Sequence, residues 1–209
     1  MAPSSLPIDD LLPQLTAVLA SHANAVLVAA PGAGKSTRVP LALHDAAWLG
    51  GNRIVMLEPR RLAARAVAAR MASALGESLG DTVGYRVRLE SKVSARTRIE
   101  VVTEGIFTRR IQSDPTLSGI GLVIFDEFHE RSLDTDLGLA LTLDVQRALR
   151  PDLKLLVMSA TLDDKSVAAL LGGSGAPAAI LASAHRPYPV STVYAEPPVQ
   201  GRLHDHMAA

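Results

Sequence analysis

The feature that most constrains this chain is a glycine-rich turn placed between an apolar run and a helix-forming segment. Residues 25–29 are continuously apolar, which is typical of a strand buried on both faces. Residues 35–48 are predicted to form a helix. The turn and the first helical residues are Pro31, Gly32, Ala33, Gly34, Lys35, Ser36 and Thr37. A strand, a glycine-rich turn and a helix in this order predict an α/β fold with a polyphosphate site.

Each residue type in this turn has a physical use in phosphate binding. Gly32 and Gly34 let the backbone curl so that its N–H groups point inward, and the helix start adds the positive end of a dipole. Lys35 can reach the β and γ phosphates, and the Ser36 hydroxyl can ligate Mg²⁺. We therefore predict ATP and Mg²⁺ as cofactors. The alternative, a turn with a chance lysine, is disfavoured by the strand and helix that flank it.

Apolar runs and helical patterns alternate along the rest of the chain. Further strands are predicted at residues 53–57, 82–88, 98–103, 122–125, 153–158 and 190–194. Helices are predicted at residues 8–21, 61–75, 105–112, 133–149 and 163–171, with a loop over 172–179. This alternation predicts an α/β domain with a doubly wound, largely parallel sheet and helices on both faces.

A pair of carboxylates, Asp126 and Glu127, follows the buried strand at residues 122–125. Asp126 can hold Mg²⁺ through water, and Glu127 can orient and deprotonate an attacking water. Alone, such a pair could simply cap the next element. Because it lies about 90 residues after the phosphate-binding turn, we predict that the two form one ATP site.

Six segments, in a fixed order, resemble the motifs of one enzyme family. They are residues 31–40, 58–64, 84–88, 103–105, 126–131 and 159–161. The sequence is similar to the DEAH/RHA-type ATP-dependent helicases of superfamily 2, and most similar to the bacterial HrpB group. Ala29 replaces the usual first Gly of the phosphate turn and Phe128 replaces the Ala of the DEAH box; both substitutions resemble that group. The resemblance covers residues 25–190 and implies a RecA-like P-loop NTPase domain.

The resemblance implies a role for each matching residue at the nucleotide. The residues it makes catalytic are Lys35, Asp126, Glu127 and His129, and those it assigns to Mg²⁺ are Ser36 and Asp126. Arg70, ten residues after Arg60, would stack on the base; otherwise it is a solvated helix residue. His129 would link the γ-phosphate region to Ser159 and Thr161, so that the sheet edge responds to the nucleotide.

The resemblance also implies a single-stranded nucleic acid as partner, with RNA favoured over DNA. Its sugar–phosphate backbone would touch Arg60, Arg61 and Thr103. Residues 53–110 carry eleven Arg and one Lys against six acidic residues, although the chain's net charge is zero. Aromatic residues are only 3% of the chain, so contact through the backbone rather than base stacking is expected. The alternative is arginine on solvated helix faces, and Arg109 and Arg110 could merely cap a helix.

Composition excludes several other classes of protein. With no cysteine, the chain has no disulfide framework, thiolate zinc site or thiol nucleophile. No apolar run approaches the roughly 18 residues of a membrane span, and no basic region precedes Lys35 as a leader would require. We therefore expect a cytoplasmic protein with no membrane partner. His204 and His206 have no third ligand nearby and are interpreted as an incidental pair.

The predicted domain covers residues 1–190, followed at 191–209 by the crossing to a second RecA-like domain or by a frayed tail. The family's Q-x-x-G-R-x-G-R motif, whose arginines belong to that second domain, has no match in these 209 residues. We expect the chain alone to bind nucleotide and to hydrolyse it poorly. Two alternatives stay open: a different P-loop NTPase, such as a motor or transport ATPase, and a non-enzymatic nucleotide-gated binding module.

Overall fold

An eight-stranded sheet is the centre of the fold within the part of the chain that the structure, a computed structural model, describes: residues 6–161, 165–173 and 175–183. Its order is β4-β3-β5-β2-β6-β7-β1-β8. All neighbours pair in parallel except β3 and β4. The strands are β1 Asn24–Val28, β2 Arg53–Leu57, β3 Val83–Val87, β4 Glu90–Lys92, β5 Ile99–Val102, β6 Ile120–Phe125, β7 Lys154–Ser159 and β8 Ala179–Ala182.

Helices cover both faces of this sheet, which confirms the predicted doubly wound α/β fold. The helices are α1 Leu12–Ser21, α2 Lys35–Leu43, α3 Arg61–Leu75, α4 Glu104–Ser113, α5 Leu133–Ala148 and α6 Lys165–Gly172. Apolar residues of the first three pack with one set of strand side chains, including Leu27 and Met56. Those of the last three pack with the opposite set, including Val26 and Val55. Burial on both faces explains why the strands are continuous apolar runs.

The clearest differences from the sequence prediction are the end of one helix and two strands that it did not include. Helix α2 ends at Leu43 rather than at residue 48, because Ala46 adopts an extended backbone and a separate 3₁₀ turn follows. Strands β4 and β8 were missed. Both lie at sheet edges and are only three or four residues long with partly exposed side chains, so they lack the apolar pattern of a central strand. The predicted strand at 190–194 lies outside the described residues.

The strand order brings three chain-distant segments to one edge of the sheet. β7 lies between β6 and β1, with Phe125 opposite Val157 and Val28 opposite Ser159. The carboxyl ends of these parallel strands therefore meet at the same edge. Ligands of open parallel α/β sheets bind at this edge, and the segments that follow β1, β6 and β7 contain the residues that the sequence singles out.

Candidate nucleotide-binding site

The turn after β1 presents unpaired backbone donors in front of helix α2. Gly32 and Gly34 have φ angles of +78° and +98°, which side chains with a Cβ rarely adopt. Within the described part of the chain, no backbone acceptor pairs with the N–H groups of Gly32, Gly34, Lys35 or Ser36. Donors of this kind at a helix start form a cradle for anionic oxygen.

Lys35 lies buried beneath this turn, with only 4% of its surface exposed. Its Nζ donates to the carbonyl oxygens of Ala29, at 2.6 Å, and Ala30, at 3.3 Å. The ammonium group is thus held inside the turn, in a place where a positive charge attracts phosphate. Thr37 closes the turn from the helix side, since its N–H and hydroxyl both donate to the Gly34 carbonyl, at 3.3 and 3.4 Å.

Asp126 is the buried acid opposite the turn. Its Oδ1 accepts the Glu127 N–H at 2.9 Å, whereas its buried Oδ2 has no hydrogen-bond partner. Burial raises the pKa of Asp126 to about 6, against the opposing effect of the Ser36 hydroxyl and with a further increase from the charge of Glu127. Buried polar atoms are rarely left unpaired. A carboxylate oxygen of this kind beside a serine hydroxyl fits a hard cation such as Mg²⁺.

Glu127 and His129 connect this acid to the end of β7. Glu127 has a left-handed backbone, with φ +49°, uncommon for a residue with a side chain. Its Oε2 lies 3.4 Å from His129 Nδ1. The same nitrogen lies 3.3 Å from the Ala160 backbone nitrogen, whose N–H it accepts. His129 therefore bridges the segment after β6 and the segment after β7.

The segment after β7 also touches the phosphate turn. The Ala29 N–H donates to the Ser159 carbonyl at 3.1 Å. The Ser159 hydroxyl folds back on its own turn, accepting the Thr161 N–H at 3.3 Å and lying 3.4 Å from the Thr161 carbonyl. Ser159 and Thr161 thus lie between the phosphate turn and the segment of Glu127 and His129, where the sequence placed a coupling element.

A cavity of about 360 Å³ joins most of the predicted nucleotide residues: it is lined by Leu6, Gly32, Gly34, Lys35, Ser36, Thr37, Val67, Arg70 and Glu127. Arg70 lines the cavity from α3, and its role in stacking on the base stays a prediction. Pro31 and Ala33 shape the turn without lining the cavity. Leu6 and Val67 were missed, because single apolar residues carry no chemical signal. A larger groove of about 440 Å³ beside α5 and α6 contains none of the phosphate-turn residues.

Glu58 is a further acid at this edge to which the sequence analysis gave no role. It directly follows β2, is 4% exposed, and continues the β2–β5 ladder through its N–H to the Val102 carbonyl. Burial raises its pKa to about 7, and the charge of Asp126 adds to the shift. A carboxylate at the end of a buried strand is the same signal that identified Asp126, and it could have identified Glu58.

The predicted nucleic-acid residues lie at the same edge, beyond β2 and β5. Arg60 precedes α3 and its guanidinium pairs with Glu130, while Arg61 begins the helix and is exposed. Thr103 precedes α4 and lines a second cavity, of about 270 Å³, with Arg88, Gly105, Ile106 and Arg109. Arg110 instead pairs with buried Glu100 and is itself only partly buried. Of the two uncertain arginines, only Arg109 faces the predicted nucleic-acid path.

The described residues lack the features of two other classes of site. Within the described ranges, no group of three or more His, Asp or Glu side chains is placed to hold a metal by itself. No helix in the same part of the chain has the length and apolar character needed to cross a bilayer.

The fold and the site together define a RecA-like P-loop NTPase domain. A profile of the DEAD/DEAH box helicase family matches residues 13–170. The ATP-dependent RNA helicase HrpB of Escherichia coli (strain K12) is 52% identical over 205 residues, which is 98% of this chain and 25% of that relative. This chain belongs to the DEAD/DEAH box helicase family, and the resemblance to the HrpB group is confirmed.

Two crystal structures of the E. coli protein are also similar to this chain. One, described as a DEAH/RHA helicase, has a TM-score of 0.86, covering 98% of this chain and 25% of its own. The other, described as a DExH-box NTPase, has a TM-score of 0.81, covering 100% and 25%. Both are 52% identical in sequence. The chain spans about a quarter of the length of the relatives it matches.

Proposed function

We propose that this chain is the ATP-binding RecA-like domain, residues 1–190, of an ATP-dependent RNA helicase, with residues 191–209 leading towards a second RecA-like domain. The observation that carries the proposal is the unpaired, buried Asp126 Oδ2 opposite a turn of unpaired N–H groups. Anionic and cationic ligands are both needed to satisfy such a site, and a magnesium–nucleotide complex supplies both.

In the proposed complex, Ser36 and Asp126 hold Mg²⁺, and Lys35 with the turn N–H groups holds the β and γ phosphates. The metal supplies positive charge that offsets the charge developing on the phosphoryl oxygens. Arg70 lies against the base on the far side of the cavity. With its pKa raised to about 6, the Asp126 carboxyl group is still largely ionised near neutral pH and could accept a cation.

Hydrolysis is proposed to need Glu127, which lines the cavity and can orient and deprotonate a water. His129 contacts both Glu127 and the Ala160 N–H, so it could couple a movement of Glu127 to the Ser159–Thr161 segment. Arginines reaching the γ-phosphate from a partner domain contribute about 10³- to 10⁵-fold in rate, and these 209 residues contain no match to the family's motif for them. The chain alone should therefore bind nucleotide and turn it over slowly.

The nucleic-acid partner is proposed to be single-stranded RNA, held along Arg60, Arg61 and Thr103. Arg60 precedes α3 and Arg61 begins it, and Thr103 precedes α4 after the adjoining strand β5. Contacts of arginine and hydroxyl groups with phosphate carry little sequence information and weaken with salt. Weak sequence preference and a steep salt dependence are therefore expected. The name of the E. coli relative favours RNA over DNA. We also propose a cytoplasmic location for the protein.

The test is nucleotide binding and phosphate release by the 209-residue chain, with and without single-stranded RNA, beside Lys35→Ala. Binding of Mg·ATP that Lys35→Ala abolishes, with turnover no faster than in the variant, is the expected result. Unchanged Mg·ATP affinity in Lys35→Ala would remove the basis of the proposal. RNA-stimulated turnover that Lys35→Ala loses would show that an arginine is supplied in trans, most simply by a second copy of the chain, and would contradict the expected slow turnover of this domain alone.

A different P-loop NTPase and a nucleotide-gated binding module make different predictions for the same samples. A motor or transport ATPase should not bind single-stranded RNA at Arg60 and Arg61, so Arg60→Ala would leave RNA binding unchanged. A gated module should bind its partner in a nucleotide-dependent way, and pairing with the second RecA-like domain should add no turnover. Family membership favours the helicase over both.

A further inference from the structure

The first residues of the described chain lie directly against the phosphate turn. We call residues 6–9 the N-terminal clasp. Ile8 is fully buried, and its N–H donates to the Ala33 carbonyl at 3.2 Å. A Cβ added to Gly34 would lie 2.7 Å from Leu6 Cδ1 and 3.3 Å from Ile8 Cγ2. The clasp therefore touches the last two residues of the turn before Lys35.

The contact with the Ala33 carbonyl fixes the direction of one phosphate-binding group. In a trans peptide the C=O and the following N–H point in opposite directions, and the described chain contains no cis peptide. With the Ala33 oxygen directed at Ile8, the Gly34 N–H points away from the clasp. Among the described residues that N–H has no acceptor. The clasp thus sets the orientation of one donor in the cradle.

The clasp is in turn held by one acid. Asp9 accepts the Leu6 N–H at 2.9 Å through Oδ2, which closes the clasp on itself. The same carboxylate receives two parallel bonds from Arg38, Nε to Oδ1 at 2.9 Å and NH2 to Oδ2 at 2.8 Å. Arg38 lies one turn into α2, and its own N–H donates to the Gly34 carbonyl at 2.9 Å. Bidentate pairs of this kind fix geometry as well as adding energy.

We propose that Asp9 and Arg38 are positioning residues for nucleotide binding: their ion pair locks the N-terminal clasp against the phosphate turn and so aims the Gly34 N–H at the nucleotide phosphates. Neither side chain needs to touch the nucleotide. The inference rests on the proposed function, because it assigns these residues a part in that same site. Without the pair the clasp can move off the turn, and the Ala33–Gly34 peptide is free to rotate.

The chain offers a matched control for the ion pair itself. Arg150 and Asp152 form a pair with the same two distances, Nε to Oδ1 at 2.9 Å and NH2 to Oδ2 at 2.8 Å. They precede β7, at the edge of the sheet opposite the phosphate turn. Asp9→Asn and Asp152→Asn therefore each remove one carboxylate charge from a two-bond pair with arginine, and only the first should affect the nucleotide.

The experiment compares the whole chain with Asp9→Asn, Arg38→Gln, their double variant, Asp152→Asn and Lys35→Ala. The dissociation constant for Mg·ADP, the melting temperature and the amide proton shift of Gly34 are measured for each. We expect Asp9→Asn and Arg38→Gln each to raise the dissociation constant about tenfold. The free energy of one hydrogen bond to a charged group corresponds to a change of about that size. The double variant should lose no more than either single variant, since both break one interaction.

The spectroscopic readout separates positioning from simple loss of stability. In the unsubstituted chain Mg·ADP should move the Gly34 amide proton downfield, and Asp9→Asn should reduce that movement while Asp152→Asn does not. Equal Mg·ADP affinity in Asp9→Asn and Asp152→Asn, with Lys35→Ala still defective, would overturn the inference and leave the proposed function intact. Failure of the unsubstituted chain to bind Mg·ADP would overturn both.

Discussion

Two sets of buried acids on the same sheet have opposite surroundings. Glu58 and Asp126, at the carboxyl edge, are almost fully buried, and burial raises their pKa values to about 7 and about 6. Glu100, in β5, is equally buried but receives Arg86 Nε at 2.9 Å and Arg110 NH2 at 2.5 Å. Burial alone would raise the pKa of Glu100, yet hydrogen bonds and charge from Arg110 and then Arg86 lower it.

This contrast separates a structural use of buried charge from a functional one. A buried acid with two guanidinium partners already has hydrogen bonds and counter-charges, and it helps to fix how the surrounding elements pack. A buried acid with an unpaired oxygen destabilises the fold unless a ligand completes it, and such sites are candidates for function. In this protein Glu100 has the first arrangement, between β3, β5 and α4, and Asp126 has the second, beside the phosphate turn.

The largest effect should come from Glu127→Gln in a form of the protein that contains both RecA-like domains. Steady-state ATP hydrolysis should fall by about 10²- to 10⁴-fold, because a positioned general base contributes that much. Nucleotide affinity and melting temperature should stay unchanged, since Glu127 is only half-buried. Equal steady-state rates would show that Glu127 is not the group that activates water.

The next largest effect is expected at Glu100, the buried acid with two guanidinium partners. Glu100→Gln leaves two guanidinium groups without their counter-charge, so urea denaturation should show a loss of about 3 kcal/mol in unfolding free energy. The affinity of the folded protein for Mg·ADP should not change. A weaker affinity with unchanged stability would reverse the roles assigned to the two sets of acids.

A smaller effect of opposite sign is expected for Glu58→Gln. The pKa of Glu58 is raised from 4.5 to about 7 on folding, so its ionisation destabilises the native state progressively as pH rises through that interval. The variant should match the original protein at pH 4 and be more stable at pH 8 by on the order of 2 kcal/mol. Urea titrations at the two pH values measure this, and a stability loss at pH 8 would contradict it.

The smallest effect is expected at Ser159, in the segment with the proposed coupling role, which contains none of the buried acids compared above. The hydrogen bonds of the Ser159 hydroxyl are long, at 3.3 and 3.4 Å, so Ser159→Ala should change the unfolding free energy by less than about 1 kcal/mol. Its effect should appear only in a two-domain form, as weaker stimulation of ATP hydrolysis by RNA. A loss of Mg·ADP affinity in the isolated chain would instead place Ser159 in the nucleotide site.

Much of this site could be predicted because its residues are adjacent in sequence to buried strands. The turn after β1 and the acids after β6 each follow a continuous apolar run, and parallel strands bring such ends together. Arg60 and Thr103 were predicted from the family resemblance instead, and they follow β2 and β5, which end at this same edge. The central strands were predicted for the same reason, since burial on both faces leaves an unbroken apolar pattern.

What the sequence did not predict depends on contacts between distant residues. Asp9 and Arg38 are 29 residues apart, and no local pattern distinguishes this pair from any other two charges on helix surfaces. The partners of Glu100 are likewise visible only after β3, β5 and α4 have packed. Edge strands β4 and β8 owe their conformation to hydrogen bonds with a neighbour rather than to their own composition.

The position of β7 between β6 and β1 has a consequence for insertions and deletions. Because side chains alternate between the faces of a strand, one inserted residue would move every later side chain of β7 to the other face. The interior would tolerate the exchange, since Leu155, Leu156, Val157 and Met158 are all apolar and buried. Ser159 and Ala160, however, would lose their alignment with Ala29 and His129. Such a protein should fold and bind nucleotide, but the Ser159–Thr161 segment should no longer respond to that binding. Changes in the length of this strand would therefore separate nucleotide binding from coupling.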